Sequence, residues 1–162
     1  KEGKPFWADT VFGGCYRREI FDKIGLFNEN LKRSSDMDFN LRLVRSGGKI
    51  LRVPDLVVKH YPRRNLKGFA KYNFTHGVWA ILPYKYTGRL FKPRHYVPLI
   101  FVLTLPLSIW PYLLVSFYHA LKIAVKERDL RYFFVMPVIF GIRHLGYGFG
   151  SVWGLVRLAG KK

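Results

Sequence analysis

The stretch Ser34-Ser35-Asp36-Met37-Asp38, with Arg42 four residues beyond Asp38, is the densest group of chemically useful side chains. Met37, Leu41 and Val44 follow at helical spacing with Leu43 beside them. Ser34 or Ser35 can cap that helix, and Gly47-Gly48 can end it. Both carboxylates then fall at a helix start, where unpaired backbone N–H groups and the helix dipole favour the ionised form. Asp36, at the cap, projects into whatever cleft the preceding loop borders and is suited to acid–base work. Asp38 and Arg42 are four apart and can pair on one helix face. Capping acids and such pairs also occur in helices that catalyse nothing, so both readings stay open at this point. Gly13-Gly14 closes a short apolar run that starts at Trp7, which suits a strand running into a tight turn. His60 ends another short run; its imidazole can ligate a divalent cation or donate to a phosphate, or serve only the fold. Arg63 and Arg64 follow, and suit phosphate or lipid head groups.

The elements that must position these residues alternate. Residues 1–62 read as short strands and helices: a strand near Trp7, a helix over Arg17 to Ile24 stopped by Gly25, the helix after Ser34-Ser35, then strands over Lys49 to Val53 and Leu56 to His60. The 162 residues carry a net charge of +18, one cysteine and a 49% hydrophobic content. That content excludes a disordered polybasic tail, and a lone Cys15 excludes a disulfide scaffold. So large a positive charge suits nucleic acid or an anionic membrane surface. The chain opens on Lys1 without a signal peptide, and a fragment of a longer protein is expected.

Charge and hydrophobicity are segregated. Residues 1–95 hold 20 Lys and Arg against 8 acids; residues 96–162 hold 8 against 2 in a far more apolar context. Residues 63–95 form a basic connector in which Leu66, Phe69, Ala70, Phe74, Val78 and Ile81 recur at helical spacing. A helix lying in a membrane interface fits this pattern, with Trp79 and Tyr84 as anchors; an amphipathic helix on a soluble core fits it too. Val97 to Tyr118 contains no charge and predicts a membrane-crossing helix, kinked by Pro98, Pro106 and Pro111. A second apolar stretch, about 132–158, is interrupted by Arg143 and His144 and reads as one helix or two shorter pieces. Gly141, Gly146, Gly148, Gly150 and Gly154 permit close helix packing there. The excess of Lys and Arg in the connector places it, and residues 1–62 with it, on the cytoplasmic side.

Four segments in order carry a resemblance. They are Phe12-Gly13-Gly14-Cys15-Tyr16-Arg17-Arg18-Glu19, Ile24-Gly25-Leu26-Phe27-Asn28-Glu29, Ser35-Asp36-Met37-Asp38-Phe39-Asn40-Leu41-Arg42-Leu43 and Gly47-Gly48-Lys49-Ile50. Together they resemble the acceptor half of family 2 glycosyltransferases, above all membrane-bound members that build bacterial exopolysaccharide of the succinoglycan type. Gly146-Tyr147-Gly148-Phe149-Gly150 with Gly154 resembles the last membrane segment of those enzymes. The resemblance implies an α/β fold for residues 1–62, a partial GT-A-like nucleotide-diphospho-sugar transferase, followed by α-helical membrane segments. It makes Asp36 the general base on the acceptor hydroxyl and puts Gly13, Gly14, Asp38, Arg42 and Trp79 on the acceptor side. It implies a divalent metal, Mg2+ or Mn2+, with His60 as the one metal-site candidate in this chain. It also implies a nucleotide-sugar donor, a lipid-linked or glycan acceptor, anionic membrane lipids as partners, and a bacterial inner membrane with the catalytic portion cytoplasmic.

Two departures are visible. Ser35 stands where the family often has Glu, and Tyr72 to Trp79 lacks the Gln and Arg of the processive Gln-x-x-Arg-Trp motif, which favours single addition. No Asp-x-Asp precedes the Gly-Gly segment, so the donor and metal half is expected outside this chain, which alone is expected to be inactive. The competing reading is a non-enzymatic, basic, membrane-anchored adaptor. Nucleic acid is not expected as a partner, since no helix-turn-helix or zinc pattern accompanies the charge.

Overall fold

The computed structural model describes residues 4–11, 13–54, 59, 61, 65–88 and 93–160. The chain divides into two compact units, residues 1–62 and 63–162.

In the first unit, β1 (Phe6–Ala8) pairs antiparallel with β2 (Ile50–Arg52), with Phe6 opposite Arg52, Trp7 opposite Leu51 and Ala8 opposite Ile50. Lys49 and Arg52 lie over the rings of Trp7 and Phe6, each 5.6 Å from the centroid. Between the strands come α1 (Arg18–Ile24) and α2 (Ser35–Arg45). Helix α1 stops where Gly25 takes φ +78° and its N–H returns to the Phe21 carbonyl at 2.9 Å. Phe39, with no exposed surface, centres the core among Leu31, Leu43 and Ile50. Tyr16, Phe21 and Phe27 surround it, with Phe27 stacked on Phe39 at 4.5 Å and Tyr16 edge-on at 4.7 Å. The first strand is therefore shorter than the expected run from Trp7 to Gly14, because Thr10, Val11 and Tyr16 turn to meet α2. The strand expected over Leu56 to His60 falls almost wholly outside the described residues.

The second unit is helical: α3 (Leu66–Ile81), α4 (Pro83–Thr87), a short 3-10 turn (Pro93–His95), α5 (Val97–Leu103), α6 (Leu105–Glu127) and α7 (Arg131–Ala159). One membrane-crossing helix over 97–118, kinked at its prolines, was expected; the structure instead breaks this stretch into two helices. α5 and α6 meet at Thr104 with a bend of 118°. Pro106 lacks the N–H that would continue α5 and is acceptable only in the first turn of a new helix. Thr104 turns its hydroxyl back onto the Ile100 carbonyl at 2.9 Å, while its own carbonyl receives Leu107 and Ser108. α6 then runs past Tyr118 to Glu127, with Pro111 inside it. The stretch 132–158 is one continuous helix, α7, with Pro137 inside it. Its 29 residues are long and apolar enough to cross a membrane.

Helix α3 packs on α7 at backbone distance, along stripe positions Ala70, Phe74, Val78 and Ile81 together with Gly77. A Cβ at Gly77 would overlap the Tyr147 carbonyl, and one at Gly150 would overlap the Phe74 carbonyl. Ser151 adds a hydroxyl that donates to the carbonyls of Gly77 (3.2 Å) and Tyr147 (3.1 Å). The buried positions of α3 are Asn73, Gly77, Val78, Ala80 and Ile81. Of the expected stripe, Val78 and Ile81 are buried, while the side chains of Leu66 and Phe74 stay 54% and 39% exposed.

Candidate active site

Asp36 occupies the second position of α2, and its carboxylate is half-buried. Among the described residues, no hydrogen bond or ion pair occupies it. Helix α2 starts unusually. Ser34 sits at the cap position, as expected, but with φ +63° in the left-handed region and without a side-chain capping bond. A non-glycine residue there costs about 1 kcal/mol. This strained entry fixes the direction in which Ser35 and Asp36 leave the loop.

Asn40, one turn beyond Asp36 and fully buried, ties the helix to the glycine loop. Its Nδ2 donates to Thr10 Oγ1 and to the Val11 carbonyl, each at 3.1 Å. Its Oδ1 accepts the Tyr16 hydroxyl at 2.8 Å. The segment carrying Gly13 and Gly14 is thus held on both sides by one side chain. Gly13 adopts φ +64° and has nothing within 4 Å of where a Cβ would stand, so it borders open space. At Gly14 a Cβ would stand 2.7 Å from Tyr16 Oη and 2.8 Å from Val11 Cγ1. The Tyr16 phenol is pushed up, first by burial and then by the negative charge of Asp36, against the opposing hydrogen bond with Asn40. Asp36, Tyr16, Asn40 and the glycine loop therefore form one electrostatically connected group.

Asp38 and Arg42 form the expected i,i+4 pair, Nε to Oδ2 at 2.9 Å, but they face inward. Asp38 is buried. The remaining guanidinium nitrogens of Arg42 donate to the carbonyls of Ile24, Gly25 (3.4 Å) and Leu26 (2.8 Å), and its plane covers Phe39 at 5.2 Å. Their hydrogen-bonding capacity is spent on holding the exit of α1 against α2. Trp79 lies half-buried on α3, in the second unit. His60, Arg63 and Arg64 lie outside the described residues.

Among the described residues, the donor set does not fit a metal. With Asp38 committed to Arg42, only Asp36 could offer a carboxylate at this helix start. Among the described residues, no three His, Cys, Asp or Glu side chains converge. The residues that sequence reasoning passed over are Asn40 and Tyr16. The available signal was a polar Asn40 one turn from Asp36, between Phe39 and Leu43, both of which are core positions.

A half-buried carboxylate at a helix start, linked electrostatically to Tyr16 next to the glycine loop, is an arrangement suited to proton removal from a hydroxyl ligand. The chain is 25% identical to dolichyl N-acetyl-alpha-D-glucosaminyl phosphate 3-beta-D-2,3-diacetamido-2,3-dideoxy-beta-D-glucuronosyltransferase from Methanococcus voltae over 162 residues, 97% of this chain and 50% of the relative. The chain thus spans about half the length of the curated relative it matches. No family model and no solved structure matches it.

Proposed function

We propose that this chain is the acceptor-side half of a membrane-bound inverting glycosyltransferase of family 2. The enzyme moves a sugar from a nucleotide-sugar donor to a lipid-linked or polysaccharide acceptor in cell-envelope glycan synthesis. The observation that carries the reading is the Asp36 carboxylate, without a hydrogen bond or ion pair among the described residues, acting on Tyr16, which Asn40 ties to the glycine loop. The similarity to a transferase whose name specifies a dolichyl-linked acceptor adds weight. In this reading the acceptor hydroxyl enters beside Gly13, where no side chain obstructs it. Its oxygen attacks the anomeric carbon as Asp36 takes its proton, and the nucleoside diphosphate leaves from the opposite face. Asn40 and Tyr16 keep the loop and the base in register; Asp38 and Arg42 brace the helix that carries the base. The GT-A-like architecture of the first unit belongs to the proposal. So do the Mg2+ or Mn2+ requirement, with ligands other than Asp36 and Asp38, and an inner-membrane site with the catalytic portion facing the cytoplasm.

The test is transfer of labelled sugar to a lipid-linked acceptor by the full-length protein. Asp36→Asn is expected to lower turnover by about a hundred- to ten-thousand-fold while leaving the fold intact by circular dichroism. Near-normal turnover in that variant removes Asp36 as the base.

A further inference from the structure

Arg143 is exposed near the middle of α7, the helix that is long and apolar enough to cross a membrane. A cation at such a place is costly unless it faces water, a head group or a counter-ion. The α3–α7 contact shows what it faces. Gly146 lies against Ala70, Gly150 against Phe74 and Gly154 against Val78, so the two helices run parallel in constant register. One turn earlier, the same register sets Arg143 level with Lys67. Arg143 is three and seven residues before Gly146 and Gly150, which places it on the face of α7 turned to α3. Lys67 stands in the same relation to Ala70 and Phe74 on α3. Both are exposed, and among the described residues neither has a hydrogen bond or an ion pair.

No anion of this unit is placed to neutralise them. Between residues 63 and 162 the only acids are Glu127 and Asp129. Asp129 is bound to Arg131 at 2.8 Å, and Glu127 lies 4.0 Å from Lys126. Both stand at the far end of α7, about 18 Å of helix away. Beside Arg143, His144 is already bonded through Nδ1 to the Tyr112 hydroxyl at 3.1 Å. The flanking surface is apolar, with Val135 and Val138 on one side and Phe149 and Trp153 on the other exposed.

We propose that Lys67 and Arg143 form a binding site for the phosphate of a bilayer lipid. Two converging cations match a doubly charged phosphomonoester or diphosphate better than a singly charged diester. The guanidinium supplies a planar two-pronged contact and the ammonium a point charge. The site rests on the membrane placement proposed above and is independent of the role of Asp36.

The test reconstitutes the full chain in phosphatidylcholine bilayers at about pH 8, above the second ionisation of a phosphomonoester. Trace spin-labelled phosphatidic acid or phosphatidylglycerol is added, and the motionally restricted fraction of each is read. The wild type is expected to prefer phosphatidic acid by about fivefold. Arg143→Gln is expected to bring the ratio close to one, Arg143→Lys to keep part of it, and Lys67→Gln to lower it. Equal retention of the two lipids by the wild type overturns the site, as does an unchanged ratio in Arg143→Gln. Should Arg143→Gln fail to reconstitute, an unchanged ratio in Lys67→Gln overturns it equally. A wild type that restricts no lipid at all overturns the membrane placement and this site together, and leaves Asp36 untouched.

Discussion

The two units hold their parts together by opposite means. In the first, side chains reach across to backbone: Asn40 takes the Val11 carbonyl, and Arg42 takes the carbonyls at the end of α1. In the second, backbone meets backbone, with glycines at the contacts and one serine hydroxyl across them. The first strategy relies on directional bonds shielded by an aromatic cluster. The second relies mainly on close fit of small residues, with one hydroxyl across it, as helices do where the hydrophobic effect gives no reason to associate. It follows that the first unit is sensitive to loss of polar atoms and the second to gain of carbon.

The largest test of that contrast is to add carbon. Gly150→Leu or Gly77→Val places side-chain atoms where the partner helix has its carbonyls, and is expected to abolish α3–α7 packing. Crosslinking between cysteines introduced on the two helices should vanish, whereas Gly141→Ala, with open space at its Cβ, should leave it unchanged. In the first unit the larger effect comes from Asn40→Leu. It strands the Tyr16 hydroxyl and the Val11 carbonyl and is expected to cost about 2–3 kcal/mol in chemical denaturation. An equal loss from a polar-to-apolar change in the α3–α7 contact, Ser151→Ala, would erase the contrast; a loss under about 1 kcal/mol is expected there.

A smaller effect is alkaline loosening. The Tyr16 pKa is raised, so the folded state holds the phenolic proton more tightly than the unfolded chain. That stabilisation is complete below the unfolded tyrosine value and is lost as pH rises through the raised folded value. The first unit should therefore loosen above about pH 10, and Tyr16→Phe should flatten that part of the stability profile. The smallest expected change is a gain. Ser34→Gly relieves a left-handed serine and should stabilise by up to about 1 kcal/mol, read as a rise in the denaturation midpoint. In the proposed transfer assay it should also lower turnover, by letting Asp36 wander.

Part of this organisation is legible in the chain. The helix bearing Asp36 and its ion pair follow from local spacing, and α2 and the Asp38–Arg42 contact lie where that spacing puts them. The glycines of α7 announce a close helix contact, and Gly150 and Gly154 make one. What spacing could not supply is direction and distance. Whether Arg42 faces a ligand or the α1 carbonyls depends on a partner 16 to 18 residues away. Asn40 reaches 24 to 30 residues back to fasten the glycine loop. At Thr104 a kink was legible but its size, a full break into two helices, was not. Hydropathy is blind to it, since residues on both sides are apolar; Pro98 and Pro106, each in the first turn of a helix, carried the signal. On α3 the apolar stripe marked the contact face, with Ala70, Phe74, Val78 and Ile81 against the glycines of α7; what spacing could not show was that the helices meet at backbone distance.

The bond from Ser151 to Gly77 spans 74 residues of chain. During synthesis α3 leaves the ribosome long before the helix that seats it. At about 5–20 residues per second the wait is roughly four to fifteen seconds. For that interval Gly77 offers a bare groove, and α4, α5 and α6 are made while it stands open. Assembly of this unit therefore closes from its end backward, and its earliest helix is among the last to find its place.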